Sequence, residues 1–113
     1  MTIEFESESL WELYSNGTTQ DKTYNKLPKD IITRYVKVVN YLKLTTRIEA
    51  LFRIKSLHYE KKKGDLSNIE AVWINDQYRL LFKSRAGEAG ITNIILIKEI
   101  SKHYEWNNTK KRY

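Results

Sequence analysis

Two β-like runs joined at Asn75-Asp76 constrain this chain more than any other feature. The first spans about Ile69 to Asn75 and the second about Gln77 to Lys83. Both are rich in the β-branched, aromatic and large aliphatic residues that strands favour. Asn and Asp tolerate positive φ, so the pair predicts a tight two-residue hairpin turn. Alternation puts Tyr78, Leu80 and Phe82 on one face of the second strand, and Gln77, Arg79, Leu81 and Lys83 on the other. The first set is the natural core side, so Arg79 projects from the opposite, open face. The plain reading is a surface arginine paired with Glu70 or Asp76. The functional reading is an oxyanion receptor, favoured because a planar guanidinium in a central strand suits such partners. Just upstream, Lys61-Lys62-Lys63-Gly64-Asp65 places a basic cluster before a glycine that lets the backbone turn sharply beside Lys63. A charge run of this kind is more often simply solvated.

The rest of the chain supplies what the hairpin packs on. Thr2 to Phe5 alternates weakly and suits a short first strand. Ser9-Leu10-Trp11-Glu12 has capping-box spacing and predicts a short helix ending near Asn16-Gly17. Thr18 to Lys26 is polar, lacks periodicity and reads as a loop. A longer helix begins with Pro28 at its first position, where a missing amide costs nothing. Ile31, Ile32, Tyr35, Val36, Val39 and Leu42 form its apolar stripe, with Arg34, Lys37 and Lys43 off it. Thr46-Arg47-Ile48-Glu49 is a second capping box, opening a short helix through Phe52. A third strand runs about Ile91 to Lys98, reached by a loop over Ser84 to Gly90. Helices first and a meander afterwards predict an α+β domain, with helices on one face of an antiparallel sheet and the other face open. The domain covers residues 1–105, followed by a basic tail over 106–113.

Composition narrows the chemistry. At 113 residues the chain forms one domain with a core of its own, and it has no cysteine for a disulfide or a thiolate metal site. Two histidines, His58 and His103, do not make a convincing zinc site. No cofactor is implied. The longest apolar run, Ile94 to Ile97, is far too short to span a membrane, and the acidic start is unlike a targeting segment. A cytoplasmic protein is expected. Net charge is +6, yet Glu4, Glu6, Glu8 and Glu12 sit in the first twelve residues with no basic partner, leaving 20 basic against 10 acidic residues afterwards. That excess favours a polyanionic partner, nucleic acid foremost. Eight tyrosines add stacking capacity, although most aromatics belong to the core. His58 reads as an ordinary surface or interface residue. His103, beside Lys102, Tyr104 and Glu105 just past the last strand, has the near-neutral titration that acid–base work over the sheet requires.

Leu57-His58, then Lys63-Gly64-Asp65-Leu66, then Ile74-Asn75-Asp76-Gln77-Tyr78-Arg79-Leu80-Leu81-Phe82 resembles the HigB branch of the RelE/ParE toxin superfamily. The likeness covers about residues 1 to 105 and is most specific in the Asn-to-Phe segment. It implies a RelE-like, microbial-RNase-like fold and a type II toxin: a ribosome-dependent endoribonuclease (mRNA interferase) that cuts translated message. The implied chemistry is metal-free, with a ribose 2′-hydroxyl attacking its own phosphate. The implied partners are a HigA-like helix-turn-helix antitoxin, the ribosome with its mRNA, and operator DNA only through the antitoxin, with no membrane. By the same likeness Arg79 matches the phosphate-stabilising arginine and Lys63 the lysine of RNA binding or catalysis. Where members end the last strand in Asp-Tyr-His, this chain has Glu99 for the aspartate, with His103 and Tyr104 displaced and in reversed order. Trp73 stands where many members carry another basic residue. Lys61, Lys62, Gln77, Lys83 and Lys102 complete the expected RNA-binding set. Two other readings share the fold or the charge: a non-enzymatic binder like gyrase-poisoning relatives, and a basic nucleic-acid-binding module without toxicity.

Overall fold

The computed structural model describes residues 1–62, 68–90 and 92–102. Its elements are β1 (Thr2–Phe5), α1 (Glu8–Asn16), α2 (Lys29–Leu44), two 3-10 turns (Ile48–Arg53 and Lys55–Leu57), β2 (Glu60–Lys61), β3 (Glu70–Trp73), β4 (Tyr78–Ala86), a third 3-10 turn (Glu88–Gly90) and β5 (Asn93–Lys102). The strands form one sheet in the order β1-β5-β4-β3-β2. Every pairing is antiparallel except β1 on β5, which is parallel. The α1–α2 pair carries the chain from β1 to β2 at the opposite edge, and the meander then returns to set β5 beside β1. The expected α+β architecture is the one found.

The helices cover one face. Ile31, Tyr35, Val39 and Leu42 of α2 and Leu10 and Leu13 of α1 meet Val72, Leu80, Phe82, Ile95 and Ile97 from the sheet in one core. This is the stripe and the strand face read from the sequence. Tyr35 also donates its hydroxyl to the carbonyl of Leu10 at 2.8 Å, fastening the two helices together. The chain's first ammonium closes the far end of α2 by donating to the carbonyls of Leu42, Lys43 and Thr45, where the helix dipole is negative. Two of the four early glutamates are paired across the sheet, Glu4 with Arg85 and Glu6 with Lys98.

Several boundaries differ from expectation, each for a physical reason. The cap of α1 is Ser7, whose hydroxyl accepts from the Leu10 amide at 3.3 Å; Ser9 is already inside the helix and buried. Pro28 stands one position ahead of α2 and offers its carbonyl to Ile31 and Ile32. The second capping box does not form. Glu49 turns to Arg47, and the amide of Ile48 is capped from β5 by the Asn93 side chain at 2.8 Å. β4 continues to Ala86, so the loop shortens to Gly87–Thr92; a Cβ on Gly87 would meet the Thr92 carbonyl at 2.9 Å. β2 was not anticipated and adds an edge strand to the sheet.

The hairpin turn is the consequential correction. Four residues, Ile74 to Gln77, separate β3 from β4, and neither Asn75 nor Asp76 has positive φ. The Asn75 side chain accepts from the amides of both Gln77 and Tyr78 at 2.8 Å, a side-chain-closed turn in place of a two-residue one. A two-residue turn would have set Trp73 opposite Tyr78, on the core face. The observed register sets Trp73 opposite Arg79 instead. A one-residue slip moves a side chain to the other face.

Three tyrosines make the fold sensitive to alkali. Burial raises the pKa of Tyr35 far above the usual tyrosine range, and it raises that of Tyr24 as well. Tyr59 is raised by burial and by its hydrogen bond to Glu70. In the unfolded chain these groups ionise near pH 10. The folded state withholds that ionisation, so the stability is fully present below about pH 10 and is lost as pH rises beyond it. For the fully buried Tyr35 the loss approaches about 1.4 kcal/mol per pH unit. Urea midpoints at pH 9 and pH 11 are expected to differ sharply, with tyrosinate absorbance appearing together with unfolding. Tyrosinate forming well before the unfolding transition would count against it.

Candidate functional site

A row of side chains crosses the sheet on the face away from the helices: Trp73 on β3, Arg79 on β4 and Ser101 on β5 stand opposite one another. Arg79 has the expected face but not the expected exposure. It is 5 % exposed. Its Nη1 donates to the carbonyl of Asn75 at 2.8 Å and to that of Tyr78 at 3.3 Å, and its guanidinium carbon lies 4.2 Å from the Trp73 ring. Neither Glu70 nor Asp76 pairs with it. Among the described residues it has no ion pair, and its Nε and Nη2 make no hydrogen bond. Burial lowers the guanidinium's pKa, while the charges of Glu60 and Asp76 act in the opposite sense. Arginine starts so far above neutrality that it keeps its charge. A cation taken out of water with most of its donors unused is costly unless a ligand completes it.

Glu70 is absent from that site because it is engaged elsewhere. It is 3 % exposed and accepts from the Tyr59 hydroxyl at 2.5 Å, the Ser84 amide at 2.9 Å and the Ser84 hydroxyl at 2.5 Å. It thereby ties β3 to β4 and to the segment leading into β2.

That segment carries His58. The residue ends the second 3-10 turn with φ 46° and ψ 49°, and its amide donates to the Lys55 carbonyl at 3.1 Å. Its exposed ring stacks on Trp73, with centroids 3.6 Å apart and planes 22° apart. Imidazole and guanidinium thus share one indole. The sequence carried no sign of this: nothing in it marks a left-handed histidine, and the misread turn hid Trp73 from Arg79.

Glu99 stands opposite Leu81, hence on the Arg79 face, one row away from it. A β-bulge between Leu81 and Phe82 puts it there. Ile95 and Ile97 point into the core, and then Ile100 does, so the strand changes parity between them. Of the expected RNA-binding residues, Lys61 is exposed on edge strand β2, Gln77 is exposed in the turn, and Lys83 is half-buried on the Arg79 face. Lys102 is exposed with its ammonium 5.9 Å from the Tyr78 ring centroid. Lys62 is buried and bridges Glu60 at 2.7 Å. Lys63, Gly64, Asp65, Leu66, His103 and Tyr104 lie outside the described residues, as does the tail over 106–113. The structure therefore brings Arg79, Glu99, His58 and Trp73 to one face.

No family model matches the sequence, and no curated protein does. Solved structures do match the fold. One is a YoeB/ParE toxin from Agrobacterium tumefaciens, with a TM-score of 0.56 and 13% identity over 92% of this chain and 100% of that one. At this identity the likeness establishes a fold of the RelE/ParE type.

Proposed function

We propose that this chain is the toxin of a type II toxin–antitoxin system, a HigB-like endoribonuclease that cuts translated mRNA on the ribosome. The observation that carries the reading is Arg79, buried on the sheet face opposite the helices with its Nε and Nη2 unbonded among the described residues. Such a group is prepared for a phosphate. In the proposed reaction a ribose 2′-oxygen attacks the adjacent phosphorus and the bond from phosphorus to O5′ breaks. The products are a cyclic 2′,3′-phosphate and a 5′-hydroxyl. A base takes the 2′ proton, an acid supplies one to O5′, and a cation holds the phosphorane charge. Arg79 is that cation. Glu99, one row away on the same face, is the proposed carboxylate, and Lys63, His103 and Tyr104 are the other proposed catalytic groups. Gln77 in the turn and Lys83 on the Arg79 face are the proposed contacts to RNA beside the site; Lys61 and Lys102 stand opposite Glu70 and Tyr78, on the other face of the sheet, and are proposed to meet RNA only beyond the site, with Lys62 held back by Glu60. The proposed partners are a HigA-like antitoxin, which alone contacts operator DNA, and the ribosome.

Induced expression is expected to arrest growth, with new 5′ ends appearing inside translated messages by primer extension. Intact messages during arrest would remove the reading. A gyrase-poison-like binder is the second reading, favoured by Trp73, which packs on the guanidinium that a phosphate must reach. Arrest accompanied by a DNA-damage response and no cleavage would select it.

A further inference from the structure

We propose that the exposed face of His58 is a platform for a nucleobase: a base of single-stranded RNA stacks on the imidazole, continuing the His58–Trp73 stack beside Arg79. The inference rests on the reading of Arg79 as a phosphate site, but it requires no cleavage.

Four observations converge on it. His58 closes its 3-10 turn at positive φ, a region that costs a residue with a Cβ although histidine enters it more readily than most, and such conformations gather at ligand sites. Burial does not offset that cost, because the residue is exposed. What the conformation achieves is a ring laid flat on Trp73, at 3.6 Å and 22°. Among the described residues the imidazole makes no hydrogen bond, so its edge as well as its outer face is open to a ligand. Finally, the indole beneath it also contacts the Arg79 guanidinium at 4.2 Å. One tryptophan thus sets an aromatic surface and a cation side by side, one for a base and the other for its phosphate. Every base has a π face, so the platform accepts bases through stacking, with the sequence tolerance that stacking brings.

The alternative is that His58 merely shields Trp73 from water. The two are separated with a short single-stranded RNA analogue carrying 2′-deoxy sugars, which cannot be cut, and the same strand made abasic. Binding to the free protein is read by fluorescence anisotropy, without ribosomes. Asparagine accepts left-handed dihedrals, so His58→Asn removes the ring while sparing the backbone; His58→Phe keeps a ring without proton chemistry. The unaltered protein is expected to bind the base-bearing strand at least about tenfold tighter than the abasic one, on the usual scale of base–aromatic stacking. H58N loses that advantage and leaves abasic binding unchanged, while H58F retains it. Equal binding of the two strands by the unaltered protein overturns the proposal. So does an H58N variant that binds like the parent, or an H58F variant as weak as H58N. If H58N melts early, the abasic comparison on the unaltered protein and the H58F result still decide. Loss of cleavage in cells with the base preference intact would remove the nuclease reading and leave the platform standing.

Discussion

Replacing Arg79 by Met is expected to abolish cleavage of translated message while leaving the melting temperature level or slightly raised. The two halves of that result have separate causes. Arg79 is 5 % exposed, and its bonds among the described residues run from one nitrogen to backbone carbonyls. A buried charge without a carboxylate partner costs desolvation that two backbone carbonyls and the Trp73 ring return only in part, and apolar replacement of such groups is often neutral or stabilising. Methionine keeps an unbranched stem against Trp73 and removes the charge. The Tyr78 carbonyl keeps the amides of Ile74 and Asn75, and the Asn75 carbonyl, in a half-buried turn, exchanges its Arg79 donor for water. On the chemical side, a lost donor at a developing oxyanion costs about a hundredfold to a thousandfold in rate. Arg79→Lys keeps the charge but not the planar fork, and is expected to fall between the two. The measurements are primer extension on translated messages and a thermal melt of the purified variant. A melting temperature lower by about 10 °C or more, on the scale where a domain of this size loses a few kcal/mol, would make Arg79 a structural residue.

How much of this was legible in the sequence depends on the range of the contact. Periods of two and three to four residues are local, and they placed Tyr78, Leu80 and Phe82 with the α2 stripe in one core, as found. The change of parity at β5 was also written locally, as Ile95, Ile97 and then Ile100, and it could have located the bulge that turns Glu99 toward Arg79. What failed was set by partners distant in sequence or by a side chain competing with the backbone. Asn75 uses its amide oxygen to close the turn, so its dihedrals stay ordinary and the register shifts by one. The amide of Ile48 is capped by Asn93, 45 residues on, and no capping pattern around Thr46 encodes that. His58 owes its interest to a backbone conformation, and residue type alone does not reveal one.

Glu70→Ala is expected to lower stability by about 3 kcal/mol, since hydrogen bonds to a charged group are worth about 1.5–3 kcal/mol and buried donors left without a partner carry a further penalty. The side chain is 3 % exposed and receives the Tyr59 hydroxyl, the Ser84 amide and the Ser84 hydroxyl. Removing it orphans all of them together. Glu70→Gln is the sharper variant. Its size is conserved, but one carboxylate oxygen becomes an amide nitrogen, which presents hydrogens to groups that are themselves donating. Either the Tyr59 hydroxyl turns to accept from the amide, giving up a charge-assisted bond, or the Ser84 amide loses its acceptor, so Gln also destabilises, by less than Ala. The functional consequence follows from chain connectivity. Tyr59 is adjacent to His58, and its hydroxyl bond to Glu70 anchors that segment to β3, the strand that carries Trp73. Loosening the anchor relaxes the strained histidine off the indole. Glu70→Gln is therefore expected to weaken base-dependent RNA binding although Glu70 lies in a different row from Arg79 and touches no substrate group. Tyr59→Phe removes the same tether and spares the Ser84 bonds, so it should reproduce the loss of base preference with a smaller fall in the denaturant midpoint. If Tyr59→Phe keeps full base preference, the tether is not what holds His58 on Trp73, and the imidazole–indole stack sustains the left-handed conformation by itself.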